Sequence, residues 1–172
     1  MRDEGRAISA SPSAFRLHPS SFLWRYGPVI AWVCFIFFAS TNSFSAANTS
    51  QIIGPLLHWL FPRISEAAVD QVHFIIRKTA HFTEYAVLAL LAARAFRASP
   101  RLALSARWWL ASFALVACVA LSDEYHQSFV PSRTASVYDS LLDMTGGAAA
   151  LACTALWLVL RRRKSAAASR PA

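Results

Sequence analysis

Fifteen residues of this chain, RKTAHFTEYAVLALL from Arg77 to Leu91, run four ionisable groups directly into a wall of Ala, Val and Leu. A second stretch, LSDEYHQSFVPSRTASVYDSLLDMTGG, carries Asp123, Glu124, His126, Gln127, Arg133, Asp139 and Asp143. His81, Glu84, Asp123, Glu124 and His126 are the types suited to acid–base catalysis. A histidine moves a proton near neutral pH, and a neighbouring carboxylate orients it or donates in turn. Lys78, Tyr85, Gln127, Arg133, Asp139 and Asp143 are suited to ligand binding. Lys78 and Arg133 would meet phosphate or carboxylate groups, the arginine as a bidentate fork. HFTE and DEYH each set a carboxylate three residues from a histidine, a spacing used in the di-metal sites of helical bundles. Too few further ligands accompany them, so neither a metal nor a cofactor is expected.

The elements that must position these groups are apolar. Of the 172 residues, 56% are hydrophobic and 15% charged, against about 25% charged in an ordinary soluble domain. The formal charge of +8 does not point to nucleic acid, because the arginines flank apolar runs instead of covering a basic face. Cys34, Cys118 and Cys153 lie singly inside apolar runs and read as small packing residues. Residues 1–22 form a polar, Ser-rich lead, expected to be disordered and cytoplasmic. A first apolar run spans Trp24 to Thr41, with Pro28 near its start. Read alone it is either a retained helix or a cleavable signal segment. Ile52 to Phe61 is too short to cross a bilayer and suits an interfacial segment, with His58 as a polar tip. A helix should start near Ser65 and run unbroken to Pro100, entering the bilayer over Ala80 to Phe96. Further apolar runs cover Trp108 to Ser122 and Val137 to Leu160. A basic tail occupies 162–172.

Thirteen of the seventeen Lys and Arg residues fall in the lead with the adjoining Arg25, in the loop around Arg101, and in the tail with the adjoining Arg161. The positive-inside rule then predicts an all-α integral membrane protein, a bundle of about four transmembrane helices with both termini cytoplasmic. Depth follows from helical rise. Counting from Arg97 back to His81, from Arg107 forward to Asp123, and from Arg161 back to Asp143 gives roughly 24–27 Å each time. Three helices therefore bring a polar group to one layer near the outer face. Lys78, His81 and Tyr85 share a face, with Glu84 adjoining. Asp123, His126 and Gln127 share another, and Asp139, Asp143 and Gly146 a third. Ionisable groups in a span normally face the bundle interior or a wet cavity, which implies an outward-facing polar pocket. Gly146 and Gly147 would let the last helix approach its neighbours closely.

The two blocks together resemble the VanZ-like family of membrane proteins, which pairs a Lys-x-x-His-x-x-x-Tyr helix with an Asp-Glu-x-x-Gln-x-Phe-x-Pro-x-Arg segment. A helix with Asp-x-x-x-Asp-x-x-Gly follows. Lys78, His81, Tyr85, Asp123, Glu124, His126, Gln127, Phe129, Pro131, Arg133, Asp139, Asp143 and Gly146 fall on that pattern. Ser132 departs from it, standing where relatives often have Gly. The first helix and FFASTNSFS also look like the family's start, which favours a retained helix. The resemblance covers about Trp24 to Leu160 and implies a VanZ-like transmembrane domain over 23–161. It also implies a multi-pass protein of the bacterial cytoplasmic membrane, in a family whose founding member is associated with teicoplanin resistance.

Three functions fit these residues. The first is binding or remodelling of an anionic cell-envelope molecule, such as a lipid-linked cell-wall precursor or a glycopeptide. The second is a membrane-embedded hydrolase or group-transfer enzyme using His, Asp and Glu. The third is a small proton-linked transporter, which four spans would build only as an oligomer. Membrane lipids are partners in each case, and nucleic acid in none. Plainer roles exist for the same groups: Arg77 and Lys78 snorkelling at an interface, Asp139 capping a helix, and Asp123 or Glu124 capping a helix or pairing with Arg133.

Overall fold

A computed structural model describes residues 19–41, 46–130 and 136–168. Among them every regular element is helical: α1 (Pro19–Ala39), α2 (Ala46–Leu60), α3 (Glu66–Arg97), α4 (Leu102–Ala106), α5 (Trp108–Gln127) and α6 (Val137–Ala168). Helix α3 is the hub, packing against α1, α2, α5 and α6. Its start follows from the sequence: the Ser65 side chain accepts from the Ala68 N–H at 3.3 Å, satisfying one donor of the first turn. It ends before Pro100, which cannot continue a helix.

Contacts fix the directions. Lys78 meets Asp139, 61 residues on, and His81 meets Asp143, so α3 and α6 run parallel. The Trp32 indole N–H donates to the Glu84 carbonyl at 2.9 Å, and the Tyr26 hydroxyl to Ser99 Oγ at 3.3 Å. Helix α1 is therefore antiparallel to α3. The core consists of Ile36 from α1, Tyr85 and Leu88 from α3, Val116 from α5 and Leu151 from α6. Ala89, Ala92, Ala93 and Ala95 on α3 and Ala120 on α5 are buried with them, small enough for backbones to approach.

Two glycines set the closest approaches. A Cβ on Gly146 would fall closer than 3.0 Å to the Phe82 carbonyl oxygen, which is backbone and cannot rotate aside. One on Gly147 would lie 2.7 Å from Val116 Cγ1. The α6 backbone thus rests on α3 through Gly146 and on α5 through Gly147.

Several expectations change at the helix ends. Helix α1 begins at Pro19, inside the expected 1–22 lead, and residues 1–18 lie outside the described part. Pro28 is consequently mid-helix. Lacking an N–H, it leaves the Trp24 carbonyl without its intrahelical donor. Arg94 Nη2 supplies the replacement at 3.3 Å. Helix α6 continues through the expected tail to Ala168. The three cysteines are exposed on the outer helix faces, so they are not packing residues of the core.

Among the described residues two helices are long and apolar enough to cross a membrane, the Ser21–Ala39 part of α1 and α6. The expectation of about four such spans narrows because α3 carries Arg77, Lys78 and Glu84 beside its apolar half. Helix α5 meets Asp123 and Glu124 before a full bilayer length is reached. Outward faces are nevertheless apolar, with Ile30, Phe35, Phe38, Leu121, Leu156 and Val159 all exposed. Such continuous apolar surface suits contact with lipid or another apolar partner.

Candidate functional site

The polar side chains of α3, α5 and α6 converge in one layer. Asp123 and Asp143 are each 1% exposed, and Tyr85 is fully buried. A carboxylate buried to this degree is costly unless it is paired, so its neighbours decide its role. His81 Nδ1 lies 3.4 Å from Asp143 Oδ1, an ion-pair separation without good hydrogen-bond geometry. Gln127 Nε2 donates to Asp123 Oδ2 at 2.9 Å and reaches Ser40 Oγ of α1 at 3.4 Å. The Tyr85 hydroxyl lies within electrostatic reach of Asp123, Asp143 and Glu84.

One turn outward lies a partly exposed rim. Lys78 pairs with Asp139 there, both side chains roughly three-quarters buried, and its ammonium also sits 5.4 Å from the Phe74 ring centre. Asp139 thus answers a cation across the helix interface. It is not the cap of α6, because its own N–H bonds the Ser136 carbonyl at 2.8 Å within the first turn. Glu124 accepts the Ser136 backbone N–H and so ties the end of α5 to the start of α6. Glu84 is half-buried on α3, and its backbone carbonyl anchors Trp32 of α1.

Of the residues singled out by sequence, Lys78, His81, Glu84, Tyr85, Asp123, Glu124, Gln127, Asp139 and Asp143 are brought to this end of the bundle. His126 departs from the group. Its ring is exposed and meets Phe37 edge-on at 6.0 Å, so the face shared by Asp123 and Gln127 does not include it. At 100° per residue a helix cannot turn 126 and 127 equally inward, and the buried amide takes the inner position. Arg133, Pro131 and Ser132 lie outside the described residues. His58 pairs with Glu66 at 3.3 Å, linking α2 to α3. Among the described residues no three His, Cys, Asp or Glu side chains gather where they could hold a metal ion.

Sequence reasoning missed two members of the layer. Ser140 and Ser40 are 1% and 2% exposed. Ser140 was detectable, standing three residues before Asp143 and therefore on its face. Ser40 carried no such signal, because its place depends on how α1 docks.

Five buried polar atoms of this layer lack a hydrogen-bond partner among the described residues: His81 Nδ1, Tyr85 Oη, Asp123 Oδ1, Ser140 Oγ and Asp143 Oδ1. Native interiors leave few such atoms, so their concentration in one layer is informative. They offer both donors and acceptors. The arrangement can accept water or a polar ligand group, and it can hold a proton between His81 and Asp143.

Comparison with known proteins adds one finding. The VanZ/LLP1 family model matches residues 26–159. No curated protein and no solved structure matches the chain.

Proposed function

The chain belongs to the VanZ/LLP1 family, and from that premise we propose a multi-pass membrane protein that binds or remodels an anionic cell-envelope or lipid-linked molecule. In this reading four helices, α1, α3, α5 and α6, cross the bacterial cytoplasmic membrane with both termini inside. The asymmetry of Lys and Arg favours that orientation. The polar layer then opens outward. The observation that carries the reading is the Lys78–Asp139 pair set over buried groups that lack partners. An anionic ligand exchanges with Asp139 for the ammonium, while its hydroxyl or amide groups satisfy Tyr85, Asp123 and Asp143. Arg133 is the second cation of the proposed site.

The test is binding of a lipid-linked cell-wall precursor, and separately of teicoplanin, to the full-length protein in nanodiscs. Lys78→Gln and Arg133→Gln should each weaken binding about tenfold, the effect of one charge-assisted hydrogen bond. Equal affinity for wild type and both variants would overturn the proposal.

The His81–Asp143 pair supports a second reading, a hydrolase or group-transfer enzyme. A carboxylate against one imidazole nitrogen orients the other and favours its role as a base. Product release from a lipid pyrophosphate by wild type but not by His81→Gln would favour it. Equal rates for the two proteins would remove it.

A further inference from the structure

The end of the bundle opposite the polar layer carries a different feature. A groove of about 400 Å³ opens between α1, the last turn of α3, α4 and α5. Phe22, Val29, Phe96 and Leu115 form its apolar walls, and Arg25 and Arg101 line it as well. Its volume falls in the roughly 300–1,000 Å³ range of small-molecule sites. The Ser99 hydroxyl is held in the groove, accepting from Tyr26 Oη and from the Arg101 N–H.

Charge decides what fits. Every acidic residue among the described ones, from Glu66 to Asp143, belongs to the other half of the bundle. Arg25 and Arg101 therefore have no carboxylate partner among the described residues, and three further arginines belong to the same end of the bundle. Arg94 stacks on Trp24, Arg97 on Trp108 and Arg161 on Trp157, with centroid distances of 5.2–5.7 Å. Tryptophan is enriched at membrane–water interfaces and arginine in the adjoining cytoplasmic segments, so the two together suit a headgroup region. A groove at this end that combines apolar walls with two arginines lacking a carboxylate partner matches a lipid at headgroup depth.

We infer that this groove is a binding site for one anionic glycerophospholipid, with an acyl chain along Phe22, Val29, Phe96 and Leu115 and the phosphate at Arg25 and Arg101. A zwitterionic lipid brings no net charge to the two guanidinium groups. The chain's own first 18 residues carry three arginines against Asp3 and Glu4, so that segment is not complementary either.

The experiment is native mass spectrometry of the full-length protein released from nanodiscs containing equal phosphatidylglycerol and phosphatidylcholine with identical acyl chains. The wild type should retain one phosphatidylglycerol in preference, by about tenfold. Arg25→Gln with Arg101→Gln should bring the preference close to one. Arg162→Gln with Arg163→Gln, at the same end but outside the groove, should leave it intact. Leu104→Trp, which fills the groove and keeps both arginines, should release the bound lipid. Equal retention of the two lipids by wild type would overturn the inference, as would a preference that survives the Arg25 and Arg101 changes. Loss of preference in the Arg162 and Arg163 variant would do so too, by assigning the effect to diffuse charge. Retention unchanged by Leu104→Trp would place the lipid elsewhere and equally refute the site.

Discussion

Replacing Gly146 by alanine tests whether the polar layer depends on backbone contact between α3 and α6. The added methyl would lie within 3.0 Å of the Phe82 carbonyl oxygen and 3.1 Å from both Phe82 C and Cα. Ordinary contacts begin near 3.4 Å, and all three atoms are backbone, so one helix must shift by several tenths of an ångström. Two effects oppose each other. Alanine improves helix propensity over glycine by about 0.8–1.0 kcal/mol. Overpacking a tight contact costs about 1–3 kcal/mol. Because the clash is with backbone that cannot rotate aside, the upper part of that range applies, about 2–3 kcal/mol, giving a net loss of about 1–2 kcal/mol in thermal or denaturant unfolding of the purified protein. Gly27→Ala is the internal control. Nothing lies within 4 Å of a Cβ there, so the propensity term acts alone and stability holds or rises. The shift at Gly146 also moves Asp143, one turn away, relative to His81, so ligand binding should fall more than stability does. A Gly146→Ala protein as stable as wild type, or more so, would refute the close-packing argument.

Three further substitutions separate structure from function. Tyr85→Phe removes a buried hydroxyl that has no hydrogen-bond partner among the described residues, so unfolding should be unchanged or up to about 1 kcal/mol harder, while ligand binding falls if the hydroxyl serves the site. Arg94→Met abandons the Trp24 carbonyl exposed by Pro28 and unstacks Trp24, and should lower stability by about 1 kcal/mol; adding Pro28→Ala, which restores an N–H to the helix, should recover most of it. Asp143→Leu alone leaves His81 facing an apolar group and should cost about 3–5 kcal/mol, whereas His81→Leu with Asp143→Leu should fold about as well as wild type yet lose function, as unfolding and binding assays on the same samples will show. Full function in that double variant would mean that the pair only holds the helices together.

The convergence of the polar residues was legible because helical rise is constant. Counting residues from the arginines placed His81, Asp123 and Asp143 at equal depth, and side-chain faces followed from spacing. Gly146 was legible for a similar reason, as a position with no side chain on a face that had to pack. His126 was not. Its turn away from Asp123 depends on Phe37, which reaches α5 only through the docking of α1, and intrahelical spacing carries no information on that. The position of Pro28 was misjudged because the helix starts among polar residues, where hydrophobic pattern is silent, and because a side chain 66 positions later satisfies the carbonyl that proline exposes. The capping role open to Asp139 beside ligand binding came from its place near a helix start, a local rule. Its partner Lys78 lies 61 residues away, and the cross-helix charge outweighs the local preference.

The two ends of this bundle divide the chemistry between them. Carboxylates and histidines gather at one, and arginines stacked on tryptophan at the other. If charge served stability alone, acids and bases would be interleaved, since each buried carboxylate needs a cation and each arginine a carboxylate. Instead Lys78–Asp139 is the one lysine or arginine salt bridge among the described residues, and Asp123 depends on a neutral amide. The described residues supply no hydrogen-bond partner for Asp123 Oδ1 and no carboxylate for Arg25 or Arg101. Water and a polar ligand suit the carboxylate end, where donors and acceptors are both present. Phosphate suits the arginine end, where every charged side chain among the described residues is positive. On the proposed function and the inferred lipid site, the charge left unbalanced among the described residues is balanced by what each end binds, and the two ends bind different things.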